Sequence, residues 1–169
     1  MSEQYDVAEL QAAVTRLQQL DSLVLATVGQ DGEPHASYAP FAEHDGYLYV
    51  LLSGLALHTQ NLQQQQQANV LLIEDEASAR NIFARARMNY AAAVTTVEKD
   101  TTEGIAALEA MKTKLGNTVD VLSGLPDFML FRLQLEKARL VTGFGRAFVF
   151  TPGDVAGAVQ LTEKNAKTV

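Results

Sequence analysis

The stretch SLVLATVGQDGEPHASYAPF, residues 22–41, holds two β-prone runs joined by GQDGEP. Val, Leu, Thr and Tyr suit a pleated, half-buried strand, and the Asp31-Gly32 pair tolerates the positive backbone angles that a tight hairpin turn demands. The stretch therefore reads as a hairpin. Directly after it, EHDG at 43–46 offers another turn and leads into YLYVLLS at 47–53, an aromatic and aliphatic run that suits a buried strand. Three antiparallel strands joined by short turns predict a meander able to curl into a barrel.

Outward from this core, SGLALHTQNLQQQQQAN at 53–69 is rich in helix-tolerant glutamine and spaces Leu55, His58 and Leu62 along one face, which predicts a helix crossing the barrel. NVLLIED at 69–75 and FARARMNYAAAVTTVEKD at 83–100 read as strands. TTEGIAALEAMKTKLG at 101–116 returns to helical spacing and stops at a glycine suited to a C-cap. DFMLFRLQLEKARLVTGFGRAFVF at 127–150 predicts two more strands, with Gly143 and Gly145 marking a bend or bulge. Near the N-terminus, Val7, Leu10, Val14, Leu17 and Leu20 recur at helical steps. Six or seven short strands with a few helices exceed what a doubly wound α/β sheet accommodates and favour a mainly β antiparallel barrel with added helices. The expected organisation is an N-terminal helix within 1–20, a barrel domain over 21–152 and a C-terminal tail over 153–169.

With 169 residues, 47% hydrophobic and 20% charged, the chain has ordinary globular composition. A net charge of −7 argues against a bare nucleic-acid binder, because phosphate contacts need a cationic surface. The absence of cysteine excludes disulfides, thiolate metal sites and a cysteine nucleophile. No apolar run reaches the ~18 residues needed to span a bilayer, so a soluble, cytoplasmic protein without a membrane partner is expected. GxGxxG, P-loop, GxSxG and HExxH motifs are all missing.

Few side chains suggest chemistry. His58, one of three histidines, is a ligand, an anion contact or the first polar residue of a surface helix. A three-histidine zinc site would need His35, His44 and His58 together, and the first two flank a strand near its turns, which disfavours zinc. If FARARMNY is a strand, Arg85 and Arg87 share a face and their guanidinium forks could clamp a phosphate or carboxylate. The plainer alternative pairs them with the acidic EDE at 74–76. Asp127 follows a proline at a strand entrance, the place of a turn or cap residue or of a carboxylate that orients a ligand. Ser37, Tyr38 and Ser53 carry hydroxyls near strand ends, suited to a ligand or to edge hydrogen bonds.

Taken in order, LATVGQDGEPHASYAPF, YLYVLLSGLALHTQNL, VLLIEDE, IFARARMNY, LPDFMLFRL and LVTGFGRAF resemble the haem-utilisation branch of the pyridoxamine 5′-phosphate oxidase-like family, from about Leu20 to Phe150. The resemblance implies a split β-barrel homodimer with two equivalent pockets at the subunit interface, filled by FMN in the broad family and by haem in this branch. It places Ser37, Tyr38, Ser53, His58 and Asn61 in the cofactor-binding set, with His58 where flavin-binding relatives put a basic residue against the flavin phosphate. The Arg and Lys that a flavin-binding oxidase carries in the SYAPF strand are absent. For haem-degrading members the resemblance implies a tail histidine on iron, an aspartate supporting it and an arginine near the haem. Asp127 and Arg87 match the last two, and Asn165 stands at the position of the histidine. The reading taken first is an FMN-binding oxidoreductase with His58 contacting the phosphate; the alternatives are a haem-binding or haem-degrading protein, with His58 as the candidate iron ligand, and a cofactor-free binding module.

Overall fold

The computed structural model describes residues 5–169, so the first four residues of the expected N-terminal segment lie outside the described residues. The fold is mainly β, with nine strands and four α-helices among the described residues. Helix α1 spans Val7–Gln18, where the Asp6 carboxylate caps the amide of Ala8 at 2.9 Å and Leu10, Val14 and Leu17 are buried on the predicted face.

The predicted hairpin forms from β1 (Ser22–Val28) and β2 (Pro34–Pro40), in register from Ser22 opposite Pro40 to Val28 opposite Pro34. Its turn closes through Gly29 N–H to the Glu33 carbonyl at 2.9 Å, and Gly32 takes φ +84°, a backbone angle that side chains disfavour. A second hairpin joins β3 (Ala42–His44) to β4 (Tyr47–Ser53) through Asp45 and Gly46, both at positive φ as a two-residue turn requires.

The expected meander is not formed. Hydrogen bonding orders the strands β2-β1-β5-β6-β7-β4-β3, with β5 Gln67–Ile73, β6 Arg87–Val97 and β7 Phe128–Gly143. The two early hairpins thus end opposite sides of the strand order, and β4 pairs with β7, from Leu48 opposite Leu133 to Ser53 opposite Phe128. Leu48–Leu52 are all buried, so β4 behaves as an interior strand and needs a second neighbour that a local hairpin cannot supply. Beyond Leu135, β7 pairs with β8 (Arg146–Phe150), and the register shifts between Val141 and Gly143 where a bulge was predicted. The short β9 (Val159–Gln160) pairs with β8.

Helix α2 covers Leu57–Gln65 and packs on β1 and β2. It starts later than expected, leaving Leu55 84% exposed ahead of the helix rather than in line with His58 and Leu62. The glutamine run is divided: Gln65 ends α2, Gln66 turns the chain at φ +53° and Gln67 opens β5. Helix α3 (Thr102–Leu115) ends at Gly116, φ +90°, and is followed by α4 (Thr118–Ser123), which the sequence reading lacked.

The chain divides into two compact units. Residues 21–70 and 91–135 form one, in which Tyr49, Leu51, Ala107, Met111, Val119 and Leu130 build a core between β4, β7 and the helices α3 and α4. The other collects the described residues up to Leu20 with 71–90 and 136–169, a grouping by packing that differs in kind from a linear split at 20 and 152. There Gln18 donates to the buried Tyr90 hydroxyl at 3.2 Å, Arg146 pairs with Glu9 at 2.9 Å, and Tyr5 meets Phe148 edge-on while donating to the Ala158 carbonyl.

Candidate functional site

The end of β4 and the start of β7 are tied together by short polar contacts. Ser53 Oγ donates to Asp127 Oδ2 at 3.0 Å and accepts from the Leu55 amide at 3.2 Å. Gly54 N–H reaches the Asp127 carbonyl at 2.6 Å, and a Cβ on Gly54 would stand 2.9 Å from that oxygen, so only glycine permits the approach. The buried Thr59 hydroxyl donates back to the Ser53 carbonyl at 2.6 Å and fixes the first turn of α2 on the strand it follows.

That turn presents His58, whose Nδ1 lies 2.9 Å from Ser37 Oγ on β2. Ser37 in turn donates to the Leu25 carbonyl at 3.2 Å. A hydroxyl has one proton and the carbonyl can only accept, so Ser37 must accept from His58; this assigns the proton to Nδ1 and the lone pair to Nε2. Burial, and secondarily the charge of His35, lowers the His58 pKa below its ordinary value, which keeps the imidazole neutral at pH 7.

His58 and Ser53 border a cavity of about 580 Å³. Tyr38, Leu51 and Leu52 line it from the sheet, Met111 and Leu115 from α3, and Val119 and Leu122 from α4, with Phe128 at the start of β7. Asp21 is the only formally charged residue among the described lining residues, and no Lys or Arg is among them. The cavity suits a large, mostly apolar ligand that can use a neutral nitrogen donor, and it offers little to a dianionic phosphate.

The predicted site residues separate. Ser37, Tyr38, Ser53, His58 and Asp127 come together in one unit. Asn61 belongs to the same unit, but its buried amide donates to Thr27 Oγ1 at 3.0 Å and braces α2 on β1. It borders a second, polar cavity of about 600 Å³ at the β1–β2 turn, lined also by His35. Arg85, Arg87 and Asn165 lie in the other unit. The strand-face clamp expected of the two arginines is not formed, because the chain makes a 3-10 turn over Ile82–Ala84, capped by Asn81 on the Phe83 amide, and β6 starts only at Arg87. Arg85 instead donates from Nε to the Glu74 carbonyl at 3.1 Å and pairs with Glu76 at 3.3 Å, the plainer acidic pairing; Arg87 donates to the Arg85 carbonyl. Asn165 accepts from the Thr162 amide at 2.7 Å and donates to the Gln160 carbonyl at 3.0 Å, which uses its amide within the tail. The apolar wall from α3 and α4 is absent from the sequence reading, although Met111 and Leu115 stand at a helical four-residue step that could have signalled it.

Comparison with known proteins follows the same line. A family model described as pyridoxamine 5′-phosphate oxidase matches residues 10–142. The haem oxygenase HutZ of Vibrio cholerae is 39% identical over 150 residues, 89% of this chain and 85% of HutZ. A crystal structure of HutZ, described as a haem storage protein, aligns at a TM-score of 0.72 over 75% of this chain and 90% of that one. Campylobacter jejuni ChuZ aligns at 0.84 over 95% of this chain and 65% of its own, with 21% identity, a likeness of fold alone.

Proposed function

We propose, from the premise that this chain belongs to the pyridoxamine 5′-phosphate oxidase family and to its haem-utilisation branch, that it binds haem in the apolar cavity beside His58. The observation that carries this reading is the geometry of His58 at the cavity: Nδ1–H is committed to Ser37, which leaves the Nε2 lone pair for a metal. The relationship to HutZ supports it. The cavity's lack of lining cations serves neither a flavin phosphate nor the haem carboxylates, so the preference for haem over FMN rests on the Nε2 lone pair, which iron can use and a flavin phosphate cannot. Asn165 is a poor iron ligand beside imidazole and its amide is already bonded within the tail, so His58 is the donor this reading assigns to iron.

In this role Ser37 holds the imidazole in one tautomer, Leu51, Leu52, Met111 and Leu122 exclude water from the porphyrin face, and Ser53 with Asp127 fixes the adjoining strand ends. Haem, when bound, supplies an iron centre for storage or, with reductant and dioxygen, for oxygen chemistry. The reading includes a homodimer that closes the cavity at a subunit interface. Tyr38, a cavity residue 62% exposed, and the exposed Leu55 and Leu57 on either side of the cavity residue Ala56 leave apolar surface for a second copy to cover.

Titration of purified protein with haemin, monitored by absorption, tests the proposal. A saturable Soret band that shifts in His58→Ala is expected. No haemin binding, with FMN bound tightly instead, would return the reading to a flavoprotein.

A further inference from the structure

Lys99 lies in the connection between β6 and α3, and all three of its N–H donors are committed to main-chain oxygens. Its Nζ stands 2.9 Å from the Ser123 carbonyl, 3.1 Å from that of Leu125 and 2.9 Å from that of Phe128. An ammonium has three hydrogens and no acceptor, so these contacts fill its capacity. The oxygens belong to the end of α4, the following loop and the first residue of β7, which bracket Asp127 in the sequence. Asp127 itself is held by the Ser53 hydroxyl and the Gly54 amide.

The lysine backbone is itself clamped. A Cβ at Gly104 would stand 2.2 Å from the Glu98 carbonyl oxygen and 2.9 Å from Lys99 Cα, so the first turn of α3 rests directly on the 98–99 main chain. Thr101 caps that turn through Gly104 N–H at 3.1 Å while donating to the Glu98 carbonyl at 2.8 Å. A rigid stem therefore delivers a charge to three carbonyl dipoles, much as a bound cation would organise a loop.

We propose that Lys99 is a positioning residue for the cavity: its ammonium gathers the Ser123, Leu125 and Phe128 carbonyls and so fixes Asp127 and the Leu122–Phe128 wall against Ser53 and Gly54. The consequence for ligand binding rests on the haem reading; the placement of the loop does not.

Lys99→Ala leaves the three carbonyls around a space that ethylammonium refills, whereas tetramethylammonium, lacking N–H, does not. In Lys99→Ala the Gly54 amide is expected to exchange with deuterium roughly ten- to a hundredfold faster than in the unaltered protein, the loss of charge-assisted hydrogen bonds. Haemin affinity falls in parallel. Ethylammonium restores both, and tetramethylammonium at equal ionic strength restores neither. Unchanged exchange, or a loss that ethylammonium leaves untouched, overturns the proposal. Should Lys99→Ala fail to fold, Lys99→Met keeps the aliphatic stem without the donors: an accelerated Gly54 amide supports the bracket and an unaltered one refutes it. If the unaltered protein binds no haemin, the haem reading fails, while amide exchange still decides the role of Lys99.

Discussion

At the scale of single residues, the site turns on one proton. Ser37 accepts from His58 only because the Leu25 carbonyl takes the serine's own hydrogen. Ser37→Ala removes the partner that orients the imidazole, and haemin affinity is expected to fall by about tenfold or more, as for other outer-sphere partners of metal ligands; titration of the variant checks it. The lowered pKa of His58 sets a direction in pH as well. A depressed folded pKa contributes stability that is complete above the unfolded value near 6.5 and is lost as pH falls through the folded value. Haemin binding should weaken over the same acid range as Nε2 takes up a proton, and His58→Gln should flatten the acid limb of denaturant midpoints measured against pH. His35→Gln should shorten that limb from its acid end, since the His35 charge is the second cause of the depression and its loss brings the folded value back toward the unfolded one. Ser37, Ser53, His58 and Asp127 could be singled out in the sequence as polar groups near strand ends. Their mutual contacts could not, because Ser53 and Asp127 are 74 positions apart and meet only through the pairing of β4 with β7.

At the scale of elements, two glycines mark where backbone meets backbone. Gly54→Ala would press a Cβ to 2.9 Å from the Asp127 carbonyl oxygen, and Gly104→Ala to 2.2 Å from that of Glu98. Both are expected to destabilise by about 1–3 kcal/mol, Gly104→Ala the more, as overpacking at rigid neighbours does; urea midpoints rank them, and Gly32→Ala, where φ is +84° but the space is open, separates backbone strain from collision. The elements that carry a strong period or turn signal, α1, the first hairpin, the EHDG turn, α3 and β7, are legible in the sequence, whereas the three-residue β3 that pairs with β4 is not. What misleads is the step from elements to neighbours: YLYVLLS follows the first hairpin closely, yet a strand buried along its length takes partners from wherever the chain supplies them, here from residues 128–133. The six-residue α4 and two-residue β9 are too short to display a period. The arginine pair fails for a related reason, since a spacing of two means a shared face only inside a strand, and Asn81 caps a turn just before it.

At the scale of the whole molecule, the expected homodimer makes its own prediction. Sedimentation should give twice the chain mass, and Leu55→Asp with Leu57→Asp should yield monomer with weakened haemin binding, because both leucines offer exposed apolar surface beside a residue of the cavity wall. The unit made of the described residues up to Leu20 with 71–90 and 136–169 also has a consequence in time. Glu9 and Arg146 are 137 positions apart, and Tyr5 and Ala158 are 153 apart, whereas Gln18 and Tyr90 are 72 apart, so the contacts of α1 and the residues before it are completed only long after this segment is made. At ~5–20 residues per second, Glu9 waits several seconds or more for Arg146 after it emerges. The other unit has all its residues by position 135 and can close first. Helix α1 thus completes its packing only after the other unit can close, and chaperone capture during translation should concentrate on Leu10, Val14 and Leu17.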